Sequence, residues 1–187
     1  IQSGSAQRLL GVETETACLG VSTAFTQEMR DKLVASRPGI WDSELGAVQI
    51  ETKTPPVDLV SKGGLHRLRV EVLAEDAMLR TELARAGAVQ MRLGSNPLAA
   101  LDDSIRSRGI LRYQIVPDFH ARFRSVPSVT GLWGAHPRVV GAFSSIQYNL
   151  DCSSAEEAIQ LINHAFITGP YAVALSANAR FLAGQDT

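Results

Sequence analysis

The chain has 187 residues, 45% of them hydrophobic and 20% charged, with 18 Lys and Arg against 19 Asp and Glu. This is the composition of one globular domain or part of a larger one, and the near-zero net charge excludes a general nucleic-acid binder, which needs a marked positive excess. No apolar run reaches the roughly 18 residues that span a bilayer, no signal-peptide pattern opens the chain, and two cysteines are too few for a disulfide framework, so a cytoplasmic setting with no membrane role is expected.

From Leu10 to Cys18 the residues alternate, with Val12, Thr14 and Thr16 on one side and Glu13 and Glu15 on the other. The period of two predicts a strand with an acidic face. Val48, Ile50 and Thr52 alternate with Gln49, Glu51 and Lys53 in a second strand, which Pro55-Pro56 stops because proline cannot donate to a ladder. Leu59, Leu65, Leu68, Val72, Leu79 and Leu83 then recur at roughly helical spacing and predict an amphipathic helix between Val57 and Ala86, with a break at Gly63-Gly64. Ala88 to Leu93 reads as a strand, closed by Gly94-Ser95-Asn96-Pro97, and the segment through Arg124 has no clear boundaries. Ser145, Gln147, Asn149 and Asp151 alternate with Ile146, Tyr148 and Leu150, which gives a strand with one polar face. Ser153 and Ser154 stand three residues before Glu156 and Glu157, so two overlapping capping boxes open a helix at Ala155. Gly169-Pro170 is expected to end that helix and start another near Tyr171. No repeat or linker divides residues 1–187, so a single α+β domain is expected, with a mainly antiparallel sheet covered by helices on one face and open to ligands on the other.

Glu13 and Glu15 leave the same strand face with Cα atoms roughly 6.6 Å apart. Two carboxylates ~5 Å apart at an effective dielectric of ~20 repel by about 3 kcal/mol, and a divalent cation reverses the sign of that interaction. Mg²⁺ takes hard oxygen ligands and bridges carboxylates to nucleotide phosphates, with Glu51 on the second strand as the natural third ligand. Taken alone, Glu13-x-Glu15 is explained more simply by a solvated strand face carrying ordinary surface glutamates. Gln147-x-Asn149-x-Asp151 is the second candidate, a row of oxygens and amides that suits a ligand or an exposed sheet face alike. If the first and last strands pair, Cys18 and Cys152 become possible neighbours. The four histidines lack the paired spacing of a zinc site. The arginine-rich stretch from Arg106 to Arg124 suits binding of a single phosphate or carboxylate better than an RNA surface. No Walker-type loop or Gly-x-Gly-x-x-Gly run is present.

Five ordered segments resemble the glutamate-cysteine ligases, in particular their plant-like and actinobacterial branch, within the carboxylate-amine ligases of glutamine-synthetase-like fold. Leu10-Gly11-Val12-Glu13-Thr14-Glu15 is similar to the family's opening Gly-x-Glu-x-Glu strand, and Gln49-Ile50-Glu51 to its Gln-x-Glu strand. Arg112-Tyr113-Gln114-Ile115, downstream of Gly94-Ser95-Asn96-Pro97, resembles its Arg-Tyr-x-Ile segment; Gln147-Tyr148-Asn149-Leu150-Asp151 resembles its Gln-Val-Asn-Leu-Asp strand, followed by Ala174-Leu175-Ser176-Ala177-Asn178. Two departures stand out. Asn178-Ala179-Arg180 replaces the usual Asn-Ser-Pro, and Glu44-x-Gly46 precedes Gln49 with one residue more than the common Glu-Pro-Gly-Gly-Gln pattern, so no role is carried onto Glu44.

The resemblance implies an ATP- and Mg²⁺-dependent ligase that phosphorylates a carboxylate, in this family the γ-carboxylate of glutamate, and lets an amine, that of cysteine, attack the acyl phosphate. It implies Mg²⁺ at Glu13, Glu15 and Glu51, metal or nucleotide contacts from Gln147 and Asn149, and an anionic-substrate contact at Arg112. The chain is expected to be the N-terminal part of a longer catalytic domain, trimmed before Ile1 and completed by a second polypeptide. An amide ligase with other amino-acid-like substrates and a non-catalytic supporting subunit are the alternatives.

Overall fold

One long strand organises the sheet. The computed structural model describes residues 8–100, 103–113, 115, 139–177, 181–182 and 185–186. Within them β1 (Leu9–Gly20) pairs antiparallel on one side with β3 (Gln49–Lys53) and β4 (Val57–Asp58), and on the other with β5 (Ala88–Met91) and β6 (Ile146–Leu150). Leu10 lies opposite both Val57 and Leu150, and Ala17 opposite both Gln49 and Met91, so β1 is the central strand of the sheet. β2 (Trp41–Ser43) adds outside β3, also antiparallel. A separate two-stranded pair joins β7 (Phe181–Leu182) to β8 (Gln185–Asp186).

The period-two reading of β1, β3 and β6 holds, and it sorts the two faces. Val12, Cys18, Ile50 and Trp41 are buried on the apolar face, beneath Leu68, Leu79 and Leu83 of helix α2 (Gly64–Arg85). Helix α1 (Gln27–Ala35) adds Met29, Leu33 and Val34 to the same core. Trp41 ties the layers together, its indole N–H donating to Glu75 of α2 at 3.1 Å. Leu83 is fully buried, so Leu83→Ala is expected to lower stability by about 2–5 kcal/mol in urea denaturation through lost burial and a residual cavity.

Three boundaries differ from the sequence expectation. Val57–Asp58 forms β4, and α2 begins at Gly64, after Gly63 takes a φ of 81° that a side chain would strain. Helix α3 (Ala155–Ser176) runs through Pro170 without ending. Proline forfeits one backbone bond there, but the preceding residue is Gly169, whose missing Cβ removes much of the clash that disfavours helix before proline. At the start of α3 neither box closes reciprocally: the N-cap Ser154 accepts from the Glu157 N–H, while the Glu157 carboxylate reaches one residue further back and accepts from the Ser153 N–H and hydroxyl.

The β1–β6 register also corrects the cysteine expectation. With Leu10 opposite Leu150, Cys152 lies past one end of the pairing while Cys18 is eight residues along β1 from Leu10, and both thiols are free. Burial pushes the Cys18 thiol up to about 12, which removes it as a nucleophile at neutral pH.

No residue of α3 is buried, and Phe166, Tyr171 and Leu175 are 78%, 72% and 90% exposed. Ile146 and Tyr148, on the apolar side of β6, are exposed as well. No helix among the described residues is long and apolar enough to cross a membrane.

Candidate functional site

The polar face of the sheet gathers charge that the strand registers force together. Glu15 of β1 lies directly opposite Glu51 of β3, and antiparallel partners send their side chains to the same face. Glu44, from the loop between β2 and β3, joins them. One carboxylate oxygen from each of Glu15, Glu44 and Glu51 lies within 4.8 Å of the other two. Glu13 stands outside that group, two residues along β1, opposite Lys53 on one side and Gln147 on the other.

Each carboxylate is held differently. Glu15 accepts from the Ser145 N–H at 2.8 Å and from the Gln147 amide at 2.9 Å, both neutral donors. Glu44 accepts from the Leu45 N–H at 2.6 Å and faces the Arg112 guanidinium at 3.8 Å. Glu51 pairs with Lys53 at 3.2 Å, and Lys53 in turn reaches Asp42 at 2.6 Å. Arg112 sits over the Tyr113 ring at 4.6 Å and donates to its hydroxyl, which leaves the guanidinium at the exposed rim of the acidic group.

Burial raises the Glu51 carboxyl above its usual range, Lys53 opposes the rise, and the charges of Glu13 and Glu44 add to it. Glu15 is raised by burial and then by Glu44, against the hydrogen bonds from Ser145 and Gln147. Lys53 and Arg112 offset part of the charge of the three converging carboxylates, and the raised Glu15 and Glu51 show that the group still favours uptake of either a proton or a cation. The donors are all hard oxygens, the set that suits Mg²⁺.

Beside the acidic group a cavity of about 460 Å³ is lined by Gly11, Glu13, Lys53, Pro55, Pro56 and Asn149. Asn149 and Gln147 share the polar face of β6 but do different things: Gln147 fixes Glu15, while Asn149 lines the hollow. Glu44 has no counterpart in the strand reading because it lies on a loop, where no periodicity marks which way a side chain points. Its signal was the nearby glycine. A Cβ on Gly46 would come within 2.3 Å of the Gly141 carbonyl, so only glycine lets this loop close against the residues leading into β6. Arg122, Arg124, His120, His136 and Asn178 lie outside the described residues.

The model of glutamate-cysteine ligase family 2 (GCS2) matches residues 9–187. The chain belongs to that family. Among curated family relatives, the glutamate-cysteine ligase EgtA of Mycobacterium tuberculosis is 27% identical over 186 residues, 94% of this chain and 39% of that protein. EgtA of Mycolicibacterium smegmatis is 27% identical over 194 residues, covering all of this chain and 42% of that protein. This glutamate-cysteine ligase family chain thus spans about two fifths of the length of the curated relatives it matches. A crystal structure of the Francisella tularensis glutamate-cysteine ligase in complex with AMP aligns with a TM-score of 0.41 and 15% identity, over 87% of this chain and 30% of that one.

Proposed function

We propose that this chain is the metal- and nucleotide-binding part of an ATP-dependent carboxylate-amine ligase of the glutamate-cysteine type, with a glutamine-synthetase-like fold. The observation that carries the reading is the convergence of Glu15, Glu44 and Glu51 on the open sheet face of a chain from this family. Held by those three residues, Mg²⁺ would neutralise the triphosphate and the charge that develops as its terminal phosphoryl group leaves.

The chain's own side chains prepare that site. Gln147 and the Ser145 N–H fix the Glu15 carboxylate, and Lys53 favours the ionised form of Glu51. The hollow lined by Glu13, Lys53 and Asn149 receives the nucleotide beside the acidic group, and Asn149 supplies an amide to it. Arg112, at the rim, attracts the carboxylate substrate and later its acyl phosphate. The amine then attacks the acyl carbon and phosphate departs, so ATP and the two substrates give the amide, ADP and phosphate without a protein nucleophile.

The remainder of the ligase, on the same polypeptide or a second one, completes the site. Two features support this: the relatives are longer by more than half their own length, and α3 leaves Phe166, Tyr171 and Leu175 exposed, as β6 leaves Ile146 and Tyr148. Docking of that remainder on α3 and β6 gives these side chains a partner. A purely supporting role fits the acidic group poorly, because close carboxylates raised by burial cost stability unless a ligand uses them.

The test is release of ADP by the complete ligase, with glutamate and cysteine supplied together and separately. Release that needs ATP, Mg²⁺ and both substrates is expected. No turnover with any carboxylate and amine pair would overturn the reading.

A further inference from the structure

We infer that Arg30 and Ser107 are positioning residues that set the Glu44 carboxylate into the acidic group; the inference rests on the proposed metal site. Arg30 is 1% exposed, yet its countercharge lies on the outer side: Nε and Nη2 donate to Asp31 at 2.9 and 2.7 Å, and the Asp31 side chain is half exposed. Among the described residues the inner nitrogen, Nη1, bonds carbonyl and hydroxyl oxygens rather than a carboxylate. It donates to the Glu44 carbonyl at 3.3 Å, to the Gly46 carbonyl at 3.0 Å and to the Ser107 hydroxyl. Ser107, fully buried, donates its own hydroxyl hydrogen bond to the Glu44 carbonyl.

The same loop is gripped from two further directions. The Ser107 N–H donates to the Leu45 carbonyl at 2.7 Å, and the Ala47 N–H to the Ile105 carbonyl at 2.8 Å, a strand-like pairing around Gly46 and Arg106. Gln49, 1% exposed, accepts from the Gly46 N–H at 2.8 Å and donates to the Phe143 carbonyl. A buried guanidinium is a costly way to hold a loop, because its desolvation must be offset by well-placed acceptors. Here all the inner acceptors belong to the short loop that presents Glu44, or to the serine that hydrogen-bonds it. The planar fork reaches two carbonyls and a hydroxyl from a single nitrogen while its other edge holds Asp31, a geometry that lysine does not reproduce.

Positioning through Glu44 has a signature that a merely structural role lacks. Mn²⁺ binding, followed by electron paramagnetic resonance on the full ligase that contains this chain, is compared for the native protein, Ser107→Ala, Arg30→Lys, Glu44→Gln and the Ser107→Ala/Glu44→Gln double variant, with far-ultraviolet circular dichroism confirming folding. Ser107→Ala and Arg30→Lys are each expected to weaken Mn²⁺ binding about tenfold, in the range of groups that orient metal ligands. In the Glu44→Gln background, Ser107→Ala is expected to add almost nothing, since the group it positions is already gone. Equal losses in both backgrounds, or unchanged Mn²⁺ affinity in folded Ser107→Ala, would overturn the positioning role while leaving the metal site intact. Native protein that binds no Mn²⁺ would remove the metal site and this inference with it.

Discussion

Glu51→Gln is expected to raise the melting temperature of the metal-free protein at neutral pH and to abolish its response to magnesium. The sign follows from the direction of the Glu15 and Glu51 shifts. Both carboxyls titrate above the ordinary 4.5 in the folded chain, with burial as the leading cause. Their contribution to stability is therefore complete below that ordinary value and is lost as pH rises through the raised folded values. The cost grows as pH rises and is fully present once both are ionised. Glutamine keeps the shape and removes the charge. A cation opposes the same cost by binding only the folded, ionised site, which at one hundred times its dissociation constant stabilises by about 2.7 kcal/mol. For a chain of this size that corresponds to a rise of roughly 5–10 °C. Acidification toward the carboxylate range should erase the response as protons replace the cation. Calorimetry with and without Mg²⁺, at neutral and mildly acidic pH, measures both effects; a Glu51→Gln protein that still responds to Mg²⁺ would contradict them.

Glu44→Gln should cost far more metal affinity than Glu13→Gln. Strand alternation by itself favours Glu13 as the partner of Glu15 and Glu51, but the folded chain brings Glu44 to ligand distance instead. Glu13 adds charge near Glu51 and lines the neighbouring hollow. Its removal is expected to weaken Mn²⁺ binding by roughly tenfold, the low end of the effect of groups that surround a metal's ligands, and loss of Glu44 by ~100-fold or more. Titration calorimetry of the two variants decides between them. Equal losses would place Glu13 among the ligands and return the site to the arrangement that the strands alone suggest.

That contrast marks what the amino-acid sequence makes legible. The shared face of Glu15, Glu51, Gln147 and Asn149 was readable because a strand has period two, and a polar residue repeating every second position on a sheet must share a face with its neighbours. The pairing of β1 with β3 adds one fact that no single strand contains, that Glu15 faces Glu51. Glu44 was hidden because it sits on a loop whose shape depends on Arg30, Ser107 and Gln49, residues distant in the chain or bonded to distant ones. Helix α1 was hidden for a related reason: its one fully buried residue is Arg30, a charge among Met29, Leu33 and Val34 that blurs the apolar stripe a sequence reading looks for. Pro170 misled because its helix-breaking tendency assumes a bulky neighbour, and Gly169 supplies none. The α2 stripe of Leu68, Leu79 and Leu83 was plain, since burial against a sheet leaves a helical period in the sequence.

The most direct test of the metal and nucleotide site is anomalous scattering from crystals of the complete ligase grown with Mn²⁺ and a non-hydrolysable ATP analogue. A manganese peak is expected among the Glu15, Glu44 and Glu51 carboxylates, with the nucleotide's phosphates against it and Asn149 beside the nucleotide. Nucleotide bound elsewhere, with no manganese between those three side chains, would contradict it.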